Sequence, residues 1–449
     1  MSKLQKIWQK ENDNDGRVDR FTVGQDRELD LLMAKYDVLG SMAHIIMLES
    51  VGLLQKQELE SLSAGLRQIL SEIEAGGFTI EDGVEDVHSQ VEGLLTQRLG
   101  DVGKKIHSGR SRNDQVLVDL KLYFRSEIQA IVEDVEELFD LLLTLSEEHK
   151  GKLLPGYTHL QLAMPSSFGL WFGAYAESFI DDLEVMKAAW RVSNKNPLGS
   201  AAGYGSSFPL NRQMTTDLLG FDELNYNVVY AQMGRGKTER ILAQAMASIA
   251  QTVGKMAMDV TLYLNQHFGF ISFPDHLTTG SSIMPHKKNP DVFELIRARC
   301  NQLSALPNDI SLITNNLPSG YHRDLQQIKE MVFPAIHSLK ECVQMSTYML
   351  THIKVKDNLL HDDAFKYLFS VEEVNRLVLA GIPFREAYLQ VGLAIEKGEY
   401  DPSRQVEHSH EGSIGNLCLP EIRSAFDQVK ASFGFDKVNA ALLLLAKGI

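Results

Sequence analysis

The feature that most constrains the fold is the placement of proline, because the first of 13 prolines in the 449 residues is Pro155. A proline inside a helix removes a backbone hydrogen bond and clashes with the preceding turn, so proline-free stretches permit long helices. Apolar residues in 116–145 recur at helical spacing, which predicts a helix of about 30 residues, or about 45 Å. Further long helices are predicted at residues 166–193, 238–268, 291–306 and 325–352. Patterns typical of strands are nearly absent.

Helices of this length need packing partners along much of their surface. Several carry apolar residues on more than one side, which indicates burial between neighbouring helices. The sequence therefore predicts an all-α fold with a central bundle of long helices that other subunits complete. The predicted domains are an N-terminal helical domain (1–106), the central bundle (107–354) and a C-terminal helical domain (355–449).

Composition excludes several classes of function. The formal net charge of −15 repels polyanions, so nucleic acid is not expected as a partner. The cysteines are Cys300, Cys342 and Cys418, which lie far apart and match no metal-ligand spacing. The polar N-terminus does not resemble a signal peptide, and no apolar run is long enough to span a membrane. A cytoplasmic protein without a resident metal is the expectation.

Two polar segments in the first half of the chain contain candidate functional residues. Segment 107–114 (HSGRSRND) places Arg112 and Asn113 at a predicted helix start, where unpaired N–H groups favour anions. A capping loop with solvated arginines explains that segment equally well. Segment 156–161 (GYTHLQ) places His159 beside Thr158, and this histidine is a candidate acid or base, although a structural role is also open.

A third segment, 278–291 (TTGSSIMPHKKNPD), carries the densest group of polar residues. Ser281 lies in a glycine-containing loop, and Lys287 and Asn289 follow it closely. The Asn-Pro-Asp sequence predicts a helix start, with Glu294 in the next turn. A surface loop followed by a well-capped helix is the structural alternative, but this composition serves no evident packing purpose.

A fourth segment, 321–329 (YHRDLQQIK), contains Tyr321, Gln326 and Lys329. Residues 326 and 329 share a face if the segment is helical, so their side chains could hydrogen-bond one polar group of a ligand. An exposed helix start is the simpler interpretation of this segment on its own.

Taken together, the four segments resemble the fumarase/aspartase superfamily of lyases over essentially the whole chain. GSSIMPHKKNP is similar to the superfamily pattern GSSxMPxKxNP, while SGRSRNDQ, GYTHLQ and EDVH (residues 85–88) resemble the branch that cleaves argininosuccinate. The chain departs from that branch at His286, where glutamine is usual, and in segment 200–212. The N-terminal sequence FTVGQDRELD also looks shorter than its counterpart, and we place the family's substrate-binding aspartate at Asp26.

The resemblance implies an all-α homotetramer whose active sites combine segments of three subunits. It also implies reversible cleavage of argininosuccinate to arginine and fumarate without a metal or cofactor. The small-molecule substrate would be the partner of the site. The family roles map onto this chain as a serine base (Ser281), with Ser282 as the alternative, and a histidine acid (His159) oriented by Glu294.

Stabilisation of the dianionic intermediate would fall to Lys287 and Asn289, because preorganised cations and amide donors favour developing negative charge. The residues expected to bind the carboxylates of the fumarate half are Arg112, Asn113 and Thr158. Those expected to hold the amino-acid end are Tyr321, Gln326, Lys329 and Asp26.

Three alternatives remain open from the sequence. One is another fumarate-releasing lyase, such as one acting on adenylosuccinate. A second is cleavage of an argininosuccinate that is acylated on its α-amine, suggested by the altered segment 200–212. The third is a non-catalytic relative of the crystallin kind.

Overall fold

The computed structural model describes residues 16–448, and these fold into a mostly helical molecule, which confirms the predicted fold class. The N-terminal helices are α1 (Gly16–Val23), α2 (Asp26–Asp30), α3 (Ala34–Ser50), α4 (Lys56–Glu74), α5 (Val87–Leu99) and α6 (Asp101–Lys104). The central helices are α7 (Arg112–Glu148), α8 (Phe168–Ser193), α9 (Arg212–Leu218), α10 (Val228–Met233), α11 (Lys237–Leu264), α12 (Asp291–Thr314) and α13 (Gln327–Leu350). The last four are α14 (Ser370–Leu379), α15 (Phe384–Lys397), α16 (Leu419–Ala431) and α17 (Phe435–Lys447).

The five long helices α7, α8, α11, α12 and α13 form the predicted bundle, although α12 and α13 each contain a proline, Pro307 and Pro334. They share the main hydrophobic core, which α16 also enters. Small residues let α8 approach the end of α7 closely: a Cβ added at Gly169 would come within 2.9 Å of the Ser146 carbonyl oxygen. The Ser146 hydroxyl in turn donates to the Gly169 carbonyl at 2.6 Å.

The predicted end of one long helix is wrong. The sequence places it at residue 306, immediately before Pro307, whereas α12 continues to Thr314 with that proline inside it. An interior proline costs a helix about 3 kcal/mol. The helix continues because Leu306 and Ile310, on either side of the proline, are buried in the main core.

A β-hairpin that the sequence analysis did not predict follows α7. Strand β1 (Leu153–Thr158) pairs antiparallel with β2 (Gln161–Ser167), with an irregularity between Pro155 and Tyr157. The remaining strands are two residues long: β3 (Lys195–Asn196), β4 (Glu223–Leu224), β5 (Ile271–Ser272), β6 (Thr279–Gly280), β7 (Lys288–Asn289) and β8 (Lys354–Val355).

A second core joins the N-terminal helices α3, α4 and α5 to one side of α7 through Val118 and Leu122. Helix α17 reaches this core with Leu445, whereas α14 and α15 enclose a small core of their own. The domain limits at residues 106 and 354 stay a prediction. Within residues 16–448, no helix combines the length and apolar character needed to cross a lipid bilayer.

Candidate functional site

A polar cavity of about 260 Å³ lies where the N-terminal helices meet the start of α7 and the segment before α13. Six of the residues predicted to bind substrate line it, although they are far apart in the chain: Asp26, Arg112, Asn113, Tyr321, Gln326 and Lys329. The structure also places charged residues there that the sequence analysis gave no role: Asp30, Glu85, Asp86, His88, Arg235 and Arg323.

The start of α7 fixes one wall of the cavity. Ser111 caps the helix, and its backbone N–H donates to Asp114 at 2.8 Å, completing a capping box. This cap places Arg112 in the first turn, where its guanidinium donates to Glu85 at 2.9 Å and to the Ser89 hydroxyl at 2.7 Å. Arg112 is therefore a fixed donor fork at the cavity and not a freely solvated side chain.

The opposite wall is built on Lys329, which is buried. Its Nζ lies 2.6 Å from the Asp26 carboxylate and 2.7 Å from the Asp30 carboxylate. Burial opposes the lysine charge, but the two carboxylates outweigh it and raise the pKa of Lys329. The pKa of Asp26 is also raised, because the cost of its burial exceeds the stabilisation by Lys329. The cavity thus holds a cation and carboxylates at the same end.

The segment before α13 joins this wall to the first residues of the described chain. Gln326 donates to the backbone carbonyls of Thr22 (3.0 Å) and Val23 (3.1 Å). Arg323 donates to the same Thr22 carbonyl at 2.7 Å. Gln326 ends a 3₁₀ turn and Lys329 lies in α13, so both face the cavity although one regular helix does not contain them both.

His88 is a buried residue of the cavity floor whose contacts sequence reasoning missed. Its Nδ1 lies 2.7 Å from Asp37 and 3.5 Å from Asp119. Burial disfavours the imidazolium, but these carboxylates raise the pKa of His88 to about 9. The three side chains are close enough to share a metal ion. The short contacts of the imidazole with two buried carboxylates also describe an ion-pair network, which is how we interpret the group.

The hairpin presents Thr158 and His159 away from this cavity, at an exposed tip. Thr158 pairs with Gln161, leaving a turn of two residues, His159 (φ +54°) and Leu160 (φ +57°). Positive φ at both positions is the geometry of a type I′ turn, which usually takes asparagine and glycine. Such backbone costs of order 1 kcal/mol or more per residue and recurs at functional sites.

Ser281, Lys287 and Asn289 lie on a loop closed by β6 and β7, in which Thr279 pairs with Asn289. The Ser281 hydroxyl accepts hydrogen bonds from the backbone N–H groups of Ile283 (3.3 Å) and Met284 (3.1 Å). Glu294 follows in the first turn of α12 and is exposed. Among residues 16–448, no hydrogen bond joins Glu294 to His159. Within one chain, six of the predicted site residues therefore line the cavity. The other six lie on two separate segments, the hairpin tip and the serine loop with the start of α12.

Comparisons with known proteins identify the fold and the family of this chain. A family model described as lyase matches residues 4–304. The EDDS lyase structure in complex with formate superposes with a TM-score of 0.75 at 22% identity, covering 97% of this chain and 95% of that one. A class II fumarase from Schistosoma mansoni gives a TM-score of 0.66 at 13% identity, with 85% and 91% covered. The fold and the family match define a lyase of the fumarase/aspartase superfamily.

Relatives that are similar in sequence show which family of lyases the chain belongs to. Argininosuccinate lyase from Parabacteroides distasonis is 65% identical over 444 residues, covering 99% of this chain and all of that protein (100%). The enzyme of the same name from Bacteroides thetaiotaomicron is 64% identical over 442 residues, covering 98% and 99%. The chain belongs to the argininosuccinate lyase family of carbon–nitrogen lyases, which confirms the resemblance.

Proposed function

We propose that this chain cleaves argininosuccinate reversibly into arginine and fumarate, the last step of arginine biosynthesis. The observation that carries the proposal is the pairing of opposite charges in one cavity: the Arg112 fork on one wall and Lys329 between Asp26 and Asp30 on the other. An amino acid carries both charges at its α-carbon, so it needs donors and acceptors side by side. A planar donor fork suits a carboxylate, because its two N–H groups meet the two oxygens.

The amino-acid end of the substrate binds at the Lys329 wall. Asp26 accepts hydrogen bonds from the α-ammonium group, and Lys329 donates to the α-carboxylate. Gln326 and Tyr321 complete this end. At the other wall, Arg112 and Asn113 bind a carboxylate of the succinate half, and Thr158 of the hairpin contributes a hydroxyl.

The reaction is a β-elimination. A base removes a proton from the methylene carbon beside one carboxylate, and those electrons form the carbon–carbon double bond of fumarate. The bond from the neighbouring carbon to the guanidine nitrogen breaks, and that nitrogen takes up a proton. The carbon acid is weak, so the intermediate, with two negative charges on its carboxylate, needs preorganised cations and donors. Lys287 and Asn289 supply these.

Ser281 is the proposed base. Its hydroxyl accepts hydrogen bonds from two loop N–H groups, those of Ile283 and Met284. Donors aimed at the oxygen favour the alkoxide and lower the cost of forming it, and Lys287 adds a nearby positive charge. His159, oriented by Glu294, delivers the proton to the departing nitrogen, which is strongly basic and leaves poorly without one.

The assembly is proposed as a homotetramer with active sites shared between subunits. Two apolar side chains support this: Leu160 at the hairpin tip is 76% exposed, and Ile283 in the serine loop is 84% exposed. Leu160 directly follows His159, and Ile283 lies two residues after Ser281. Both side chains would be covered if the hairpin and the loop of other subunits closed over the cavity. A cytoplasmic location is part of the same proposal.

The test uses two neighbouring serines as a matched pair. Ser281→Ala should lower kcat by about a thousandfold or more while argininosuccinate still binds, and Ser282→Ala should keep most of the activity. Fumarate absorbance measures turnover and calorimetry measures binding. A Ser281→Ala variant with near-normal turnover would exclude Ser281 as the base. Loss of turnover in Ser282→Ala alone would assign the role of base to Ser282.

A substrate panel separates the remaining alternatives. Wild-type protein should release fumarate from argininosuccinate much faster than from adenylosuccinate or from argininosuccinate acylated on the α-amine. The Asp26 carboxylate is the reason, because it can pair with a free ammonium but not with an amide. Faster turnover of the acylated compound would contradict the assignment, and no fumarate from any substrate would favour the crystallin-like alternative.

A further inference from the structure

A second cavity, of about 330 Å³, lies beside the first and shares Arg235 with it. It is enclosed by the start of α11 and by residues 314–325, which connect α12 to α13. Four basic side chains line it: Arg235, Lys237, Arg240 and His322. None of its lining residues within the described chain is an aspartate or glutamate. In a chain of net charge −15, a cavity walled only by cationic charge is unexpected.

The charges in this cavity are mostly uncompensated. Arg235 is ion-paired with Glu239 at 2.8 Å. Lys237 and Arg240 form no ion pair with any other residue of the range 16–448. Lys237 Nζ lies 5.5 Å from the centre of the Tyr230 ring, a contact that leaves its charge in place. The Nε of Arg240 is buried and has no hydrogen-bond partner within the same range.

Lys237 is exposed and Arg240 is half-buried, so water screens part of the repulsion between their like charges. The buried Nε–H of Arg240, however, has lost its water without gaining an acceptor, and an anion in the cavity would offset that cost. The hydroxyls of Thr314 and Ser319 add neutral donors to the lining. The cavity also lies at the N-terminal end of α11, a helix of 28 residues whose dipole favours negative charge at that end.

We propose that this cavity is a second anion-binding site, which takes a small dianion with the chemistry of a phosphate or a dicarboxylate. None of Lys237, Arg240 and Ser319 has a part in the elimination described above, so the site is distinct from the catalytic one. Arg235 connects the two: its side chain lines both cavities, so an anion bound at Arg240 acts on the catalytic cavity through a shared guanidinium.

The test measures binding of inorganic phosphate and of succinate by calorimetry at constant ionic strength. Arg240→Gln should weaken binding of the preferred anion about tenfold or more, because it removes a charged donor fork. Lys237→Gln is a second variant that should weaken it in the same direction. Lys255→Gln, which removes an exposed charge further along α11, is the matched control and should leave the affinity unchanged.

Arg112→Gln distinguishes the two cavities. Anion binding that survives Arg112→Gln and is weakened by Arg240→Gln supports the proposal, and the tighter of the two probes identifies the anion as phosphate or dicarboxylate. Absence of binding by both probes overturns it. So does binding that is lost in Arg112→Gln and retained in Arg240→Gln, because the anion would then occupy only the catalytic cavity.

Discussion

Replacing Lys329 by methionine removes the cation from a largely buried charge cluster of the site. Lys329 contacts Asp26 at 2.6 Å and Asp30 at 2.7 Å, and lysine and Asp30 are both buried. Methionine keeps much of the side-chain length, so the change deletes charge more than volume. Two carboxylates then face each other with no lysine between them, and Asp30 retains only its hydrogen bond from the Val87 backbone N–H at 3.2 Å.

The expected cost follows from the burial of this cluster. Removing one member of a buried ion pair destabilises a protein by about 3–5 kcal/mol, because the remaining charge stays desolvated. A control on the same helix is Lys340→Met: Lys340 pairs with Glu127 at a similar distance of 2.6 Å, but both side chains keep contact with water (23% and 17% exposed). That change should cost about 1 kcal/mol or less.

Urea unfolding at fixed protein concentration measures both costs, and pH supplies a second readout. The raised pKa of Lys329 means that its contribution is complete below the unfolded value near 10.5, so the wild-type pair is intact at neutral and mildly acid pH. In Lys329→Met, Asp26, whose pKa is already raised by burial, takes up a proton more readily, and its protonation relieves the repulsion between the two carboxylates. The stability deficit should therefore be smaller near about pH 5 than near about pH 8.

Two results would refute this reasoning. One is a Lys329→Met variant that is no less stable than Lys340→Met. The other is a deficit that does not change with pH, because it would mean that lost packing and not unpaired charge is responsible. An unchanged KM for argininosuccinate in a folded Lys329→Met variant would separately contradict the proposed amino-acid end of the site.

Three further predictions address the assembly, the proposed acid and the buried histidine. Ser281→Ala and Arg112→Gln subunits should each be inactive alone. When the two are unfolded and reassembled together, the mixed oligomers should recover up to about a quarter of wild-type activity. No recovery would mean that Ser281 and Arg112 of one active site come from the same chain. His159→Asn should lower kcat strongly with an unchanged unfolding midpoint, whereas a variant that only unfolds would give this histidine a structural role. Burial opposes the charge of His88, but ion pairs such as that with Asp37 raise its pKa from 6.5 to about 9. The charged imidazolium should therefore stabilise the folded state by at most about 3 kcal/mol. This stabilisation should be complete below about pH 6.5 and disappear as pH rises through about 9. Unfolding free energies measured across that range should lose this pH dependence in His88→Gln, and an unchanged slope would contradict the ion pair.

The long helices were predictable because their signal is local. In residues 116–145 the apolar spacing alone defines α7, and the observed helix adds only a few residues at each end. The hairpin was not predictable in this way. Its strands contain Pro155, Gly156 and Pro165, which are typical of turns, and its turn residues His159 and Leu160 lack the asparagine and glycine that normally indicate a type I′ turn.

The same distinction between local and long-range signals applies to the residues of the candidate site. The place of Arg112 at the start of α7 was predictable because that helix start is visible in the sequence. The partners of Lys329 and His88 were not, since Asp30 is 299 residues from the lysine and Asp37 is 51 residues from the histidine. Such contacts are set by the packing of whole helices. Only the resemblance to a known family indicated Asp26, and it carried no information on the basic second cavity.

The carbonyls of Thr22 and Val23, which hold Gln326 in place, make the beginning of the described chain part of the wall of the site. A change that displaces the backbone at Thr22 or Val23 would release the Gln326 side chain and alter kinetics while the helical core stays intact. Rates measured on different variants are therefore comparable only when this backbone segment is the same in each.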